Sequence, residues 1–167
     1  LVIPELLDRI PPEQEVRAWV AGCATGEEAY SVAMLLVEGL TSRGRPPKVK
    51  VLATDVHRGS LERASAGAYG EDQLKNVSEA RRRRFFIGQE GRFQVAPSLR
   101  QVVVFAPHNV VKDAPFTKMS LVTCRNLLIY LEPRVQREVL SLFHFGLETR
   151  GVLFLGSSES PGGLERE

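Results

Sequence analysis

Cysteine is scarce in this chain: Cys23 and Cys124 are the only two, far apart and without CxxC or Cys/His spacing. Neither a disulfide framework nor a zinc site is indicated, and a reducing cytoplasm is the expected setting. The histidines His57, His108 and His144 share no helical face at ligand spacing, so no metal centre is expected. Long hydrophobic runs are missing too. The longest fall short of the roughly 18 residues of a membrane-spanning helix, and Leu1 to Ile10 lacks the basic start of a signal peptide. No membrane insertion is expected. Charge of one sign is not in excess: 22 Lys+Arg against 20 Asp+Glu leave a net +2, without the overall electrostatic footprint of a nucleic-acid binder. There is no initiator Met, and the opening in mid-pattern suggests a piece of something longer. What remains is 167 residues, 43% hydrophobic and 25% charged, the composition of one ordinary domain with material for a core.

The apolar pattern predicts a short helix over 1–10, ended by Pro11-Pro12. Strands are expected at 16–20 and 49–53 and helices at 27–40 and 59–66. This alternation means parallel strands joined by crossovers. The middle breaks the rhythm. A helix over 78–86 and strands at 92–95 and 102–105 read as an inserted helix and β-hairpin, occupying about 75–105. The rhythm resumes with a strand at 120–123, a helix at 132–147 stopped by Gly151, and a strand in "VLFLG". "TSRGRPPK", Thr41 to Lys48, reads as a surface connection.

Two stretches carry chemistry. In the first, Gly22-Cys23-Ala24-Thr25-Gly26 follows a strand and precedes a helix, where small residues let backbone approach a ligand. No Lys-Ser/Thr follows Gly26 and the spacing is not GxGxxG, so it is neither a Walker loop nor a dinucleotide fingerprint. Glu27 and Glu28 come next and would repel a phosphate at the helix start. Either could instead only complement the helix dipole, worth about 0.3 to 1 kcal/mol. Asp55, ending the "VLAT" segment, stands where a carboxylate takes ribose hydroxyls. Acids, a ribose partner and no phosphate site suit S-adenosylmethionine. The second stretch is "CRNLLIY", Cys124 to Tyr130, on the same sheet edge; its Arg and Asn could also be ordinary loop polars. Arg81 to Arg84 beside Phe85-Phe86 could be a nucleic-acid patch, but successive helical residues point around the axis, and a solvated face is the expected reading.

Together, "AGCATGEEAYSVAMLL", "LATDVHRGSLERA", "RRFF", "GRFQVAPSLRQVVVFAPHNVVKDAPF", "TCRNLLIYLEP" and "GVLFLGSSES" resemble the CheR-type chemotaxis receptor methyltransferases, nearest in wording to those fused to CheB esterase and sensory modules. The resemblance implies a class I S-adenosylmethionine-dependent methyltransferase fold, Rossmann-like, with helices on both faces of a mostly parallel sheet. It implies methyl transfer to glutamate side chains on receptor signalling helices. Residues 1–15 would link to an N-terminal helical domain and 16–167 would form the methyltransferase domain. By position, Gly22, Cys23, Ala24, Thr25, Gly26 and Glu28 would line the cofactor, or its product S-adenosylhomocysteine. Asp55 would hold the ribose, Asn109 and Val110 would flank the adenine, and Asn126 and Leu127 would complete the pocket. Arg125 and Tyr130 would face the transferred methyl and the incoming carboxylate. The insert would be where some members dock a receptor's C-terminal peptide by strand addition.

The chain departs from the family pattern at several points. It lacks a "TxFFR"-like segment, Ser120 replaces the Asp that usually opens the strand before "CRN", and Ala114 makes "DAPF" of the usual "DPPF". It also stops before the antiparallel strand that usually completes the sheet, leaving 152–155 as an expected edge. These departures favour a second reading, a non-catalytic module that binds the cofactor as a sensor or scaffold.

Overall fold

The computed structural model describes residues 2–88 and 91–160. Helix α1 (Val2–Arg9) leads into β1 (Val16–Ala21), α2 (Glu27–Thr41), β2 (Val49–Asp55) and α3 (Arg58–Ala66). A smaller unit follows: β3 (Ala68–Gly70), α4 (Glu71–Leu74), α5 (Glu79–Phe85), β4 (Phe86–Ile87), β5 (Arg92–Val95) and α6 (Pro97–Arg100). The chain then forms β6 (Val103–Pro107), β7 (Met119–Cys124), a 3-10 turn at Leu128–Tyr130, α7 (Pro133–Gly146) and β8 (Leu147–Leu155).

The main sheet has the order β6-β2-β1-β7-β8, with every pair parallel. β1 and β7 are buried almost throughout because both faces are covered, and so they read as apolar runs rather than alternating strands. Alternate residues of β1 serve different cores. Val16, Ala18 and Val20 pack with α1 and α2 residues such as Leu6, Leu7, Tyr30 and Leu36. Trp19 and Ala21 pack with Val139, Leu140 and Phe143 of α7. Trp19 donates its indole N–H to Thr54 Oγ1 at 2.9 Å and meets Phe116, His108 and Phe143 edge-on. The chain lays β2 and β6 on one side of β1, then returns to lay β7 and β8 on the other. Strand order therefore reverses between β1 and β7, and ligands of open α/β sheets bind at the carboxyl ends there.

Helix α1 belongs to this core through Leu6 and Leu7, joined by Ile10 just after it. The 41–48 connection, expected as plain surface, also ties α1 down: Arg45 donates to the carbonyls of Leu7, Ile10 and Pro11, and Arg43 to Asp8 and Pro4. No helix among the described residues is long and apolar enough to cross a membrane, and none of their His/Cys/Asp/Glu groups is arranged to hold a metal.

Two expectations are corrected. The strand at 102–105 is not half of an inserted hairpin. It forms β6, parallel to β2 at the edge of the main sheet, with Val103 buried and Val102 O accepting from Val51 N–H. β5 pairs instead with β4 and β3, so the insert draws on Ala68–Gly70 and ends before β6. The short helix α6, anchored by buried Leu99, separates the two strands and redirects the chain. Gly151 does not stop the last helix: α7 ends at Gly146, Leu147 is already extended, and Gly151 lies inside β8 next to a register shift opposite Met119–Leu121. β8 is an edge of the sheet among the described residues.

Two of the four arginines in the run are held by the fold, and Arg83 and Arg84 are exposed. Arg81 makes a bidentate pair with Glu38 at 2.8 to 3.1 Å, and Arg82 donates to the carbonyls of Val77 and Leu74. Arg83 pairs with Glu79, and Arg84 lies 4.9 Å over the Phe85 ring.

Candidate functional site

At the carboxyl end of β1 the chain turns back over β2. Gly22 and Cys23 donate their N–H groups to Thr54 O at 2.8 and 2.9 Å, and Gly26 N–H closes the turn on Cys23 O at 2.9 Å. Gly22 and Gly26 have φ of 72° and 92°, backbone that side chains resist. Gly26 also lacks room: a Cβ there would lie 2.8 Å from Ala64 Cβ and 3.0 Å from the Tyr69 hydroxyl. Ala24 follows at φ 44° and donates its N–H to Asp55 Oδ2 at 2.9 Å. The other Asp55 oxygen accepts from His57 N–H at 2.9 Å, so this one carboxylate joins the turn to the start of α3. His57 in turn caps α3 by accepting from Ser60 N–H.

The two glutamates part company. Glu27 accepts from the Thr25 hydroxyl at 2.6 Å and from Gln73 Nε2 at 2.8 Å, which ties the turn to the insert; Tyr69 adds a hydrogen bond from its hydroxyl to Thr25 O. Glu28 faces β7. Its Oε1 accepts from the Thr123 hydroxyl at 2.7 Å, and its Oε2 lies 3.6 Å from Arg125 Nη1. The structure thus brings Glu28 and Arg125, 97 positions apart in numbering, onto one edge. Asn126 takes φ 56°, and Leu127 lies with Cδ2 3.4 Å from where a Gly22 Cβ would stand, so the two informative stretches touch.

The remaining candidates differ in what they offer. Asn109 accepts from Val111 N–H through Oδ1 and donates its own N–H to Asp113, folding a tight turn. His108 N–H donates to Asp55 O at 3.1 Å and brings that turn beside the ribose candidate. Val110 is buried in the α7-side core, while Val111 is exposed. Cys23 is buried as well. Tyr130 is 79% exposed on the 3-10 turn, whose buried anchor is Leu128. Burial, reinforced by Asp55, pushes the Cys23 thiol up to about 12; burial, reinforced by Glu159, does the same to Cys124. Both thiols are protonated near neutrality and are poor nucleophiles.

Ser120, the departure from the family pattern, is fully buried four residues before Cys124, and its Oγ accepts from Arg17 N–H at 3.4 Å. At ~3.3 Å per residue it lies about 13 Å along the strand from the carboxyl edge. Sequence reasoning missed Thr123, Tyr69 and Glu159. The "GSSES" stretch was recognisable, but nothing in it told which residue reaches back to the "CRN" loop.

The residues present fit S-adenosylmethionine: Glu28 and Asp55 are carboxylates suited to a cation and a diol, and two positive-φ glycines open the turn between them. The family described as CheR methyltransferase, SAM binding domain, matches residues 1–166. An uncharacterized 104.1 kDa protein of Rhodobacter capsulatus is 43% identical over 95% of this chain and 17% of its own length. The chemotaxis protein methyltransferase of Escherichia coli (strain K12) is 37% identical over 91% of this chain and 54% of its own. An S-adenosylmethionine-dependent methyltransferase from Mesorhizobium loti superposes with a TM-score of 0.51 at 16% identity, covering 91% of this chain and 51% of that one. The fold is therefore the class I methyltransferase fold. The chain spans about half the length of the Escherichia coli relative, and less of the Rhodobacter one.

Proposed function

The chain belongs to the CheR methyltransferase SAM-binding domain family, and from that premise we propose that it transfers the methyl group of S-adenosylmethionine to glutamate side chains of chemotaxis receptors. The observation that carries this reading is the meeting of Glu28 with Arg125 at the strand-order reversal, beside Asp55 and without any phosphate-binding motif. The cofactor supplies an electrophilic methyl on a cationic sulfur. Glu28 would balance the charge at its amino-acid and sulfonium end, and Asp55 would accept from the ribose hydroxyls. The backbone of Gly22 to Gly26 would line its length, Asn109 and Val110 would flank the adenine, and Asn126 with Leu127 would close the pocket.

A glutamate has an ordinary pKa of about 4.3, so the receptor carboxylate arrives ionised and needs no general base. Positioning is the remaining task, and alignment can lower a barrier by roughly 7 to 11 kcal/mol. Arg125 is suited to it: its side chain is half exposed, and its 3.6 Å pairing with Glu28 leaves donors free for a second carboxylate. Tyr130, exposed on the same loop, would fix the approach. The receptor's cytoplasmic signalling helices would be the macromolecular substrate, and the small sheet of the insert a place for a receptor C-terminal peptide to add as a strand. A cytoplasmic setting follows from that substrate, and α1 would lead from a preceding helical domain.

The test is calorimetric titration with S-adenosylhomocysteine of this chain and of Asp55→Ala, with methyl transfer to a receptor signalling-helix preparation assayed alongside. Saturable binding that Asp55→Ala loses, together with methylated glutamates, is the expected result. Binding without transfer, in a preparation extended to include the preceding domain, would favour the sensor or scaffold. Absence of binding would overturn the pocket.

A further inference from the structure

We propose that Glu159 is a positioning residue for the pocket, acting through the backbone of Leu127 and Leu128; the inference rests on the cofactor reading above. Its Oε1 accepts from Leu127 N–H and from Leu128 N–H, both at 2.9 Å, and its Oε2 accepts from Gly156 N–H at 2.8 Å. One carboxylate, 31 and 32 residues away from the first two amides, thus closes the segment after β8 onto the loop after β7.

The loop needs such a partner. Asn126 holds φ 56°, a left-handed conformation that asparagine adopts more readily than other non-glycine residues but that still costs free energy the surroundings must offset. The next two amides open the 3-10 turn Leu128–Tyr130, and amides at such a start have no partner within the turn. An ionised carboxylate is the strongest acceptor a protein can offer them. The same turn also lies under Arg125. Gly156 N–H reaches Cys124 O at 3.3 Å, Glu159 N–H closes on Gly156 O at 3.0 Å, and a Cβ on Gly156 would stand 3.5 Å from the Arg125 Cα and Cβ. Leu127, pinned through its amide, bears on Gly22 at the head of the first turn. Glu159 therefore fixes the pocket wall from Arg125 to Leu127 without needing to touch a ligand.

The experiment measures S-adenosylhomocysteine affinity for the chain and for Glu159→Ala, Glu159→Gln, Ser158→Ala and Asp55→Ala. It is run at a temperature where circular dichroism finds each variant folded, and is paired with hydrogen exchange of the Leu127 and Leu128 amides. Glu159→Ala is expected to bind about tenfold or more weakly and to lose protection at both amides. Glu159→Gln keeps one acceptor oxygen but turns an NH2 toward Gly156 N–H, and is expected to lose about threefold to tenfold. Ser158→Ala, exposed on the same turn, stays at the parent value. If Glu159→Ala does not fold, Glu159→Gln decides. Either Glu159 variant binding within about twofold of the parent overturns the inference while Asp55→Ala still reports on the pocket. Weakened binding with both amides still protected also overturns it. Failure of the parent chain to bind would instead count against the cofactor reading and remove the inference's premise.

Discussion

Glu27 and Glu28 are neighbours in sequence and serve different ends, and the difference is set by what each can reach. Glu27 is held by Thr25 and Gln73, a tie between the turn and the insert. Glu28 is held by Thr123 and faces Arg125. Thr123→Val keeps the β-branched shape in a strand but removes the hydroxyl that orients Glu28, so affinity for S-adenosylhomocysteine should fall about threefold to tenfold with little change in urea midpoint. Titration calorimetry checks it. Glu28, Asp55 and Arg125 were legible as candidates because motifs mark them, whereas Thr123 and Glu159 act through proximity created by folding. The buried thiols give a pH prediction at the same scale. Cys23 and Cys124 rise from 9.0 to about 12 on folding, so the unfolded chain ionises first as the medium turns alkaline. The stability they contribute is intact below pH 9.0 and is lost as pH climbs toward 12. Tyr30, raised from 10.0 to about 12 by burial, adds to the upper part of that window. Urea unfolding at about pH 8 and about pH 10.5 should give a lower midpoint at the higher pH, and the Cys23→Ala, Cys124→Ala double variant should lose less between the two.

Among the elements, the parallel strands and their crossover helices were readable because buried central strands announce themselves as apolar runs and amphipathic helices by their period. Pairing was not readable. The 102–105 run looks the same whether its partner is β5 or β2, and only the short α6 turn decides which. The two pairings predict different tolerances. In the main sheet Val103 is buried, so Val103→Asp places an uncompensated carboxylate in the core and should cost about 3 kcal/mol or more in urea unfolding, where a surface hairpin would absorb it. Gly151 was misread for a related reason: two glycines bracket the helix exit, and Gly146 is the one at which the chain turns extended. At the first turn the glycine signal was sound. Gly26→Ala meets both a φ of 92° and a close approach to Ala64, and should destabilise the fold by about 1 to 3 kcal/mol.

Across the whole molecule, the two ends of the parallel sheet carry different burdens. The carboxyl edge gathers Glu28, Asp55, Arg125 and the Glu159 clamp: Asp55 and Glu159 are tied to backbone amides, and Glu28 to the Thr123 hydroxyl and Arg125. The opposite half of β7 is occupied by Met119 and Ser120, both fully buried, and Ser120 serves only as an acceptor for Arg17 N–H among its described contacts. A carboxylate at position 120 would lie about 13 Å along the strand from that edge, so the expected outcome is that the serine found there leaves the site's chemistry unchanged. This separation can be tested by a pair of variants. Ser120→Ala removes the hydroxyl that accepts from the part-buried Arg17 N–H at 3.4 Å and should lower stability by about 1 kcal/mol, while S-adenosylhomocysteine affinity stays within about twofold. Glu28→Gln removes charge from a partly exposed side chain at the other edge and should do the reverse, weakening affinity about tenfold or more with stability changed by less than about 1 kcal/mol. If Ser120→Ala weakened binding as Glu28→Gln does, the two edges would be coupled through β7, and the departure from the family pattern at position 120 would bear on catalysis after all.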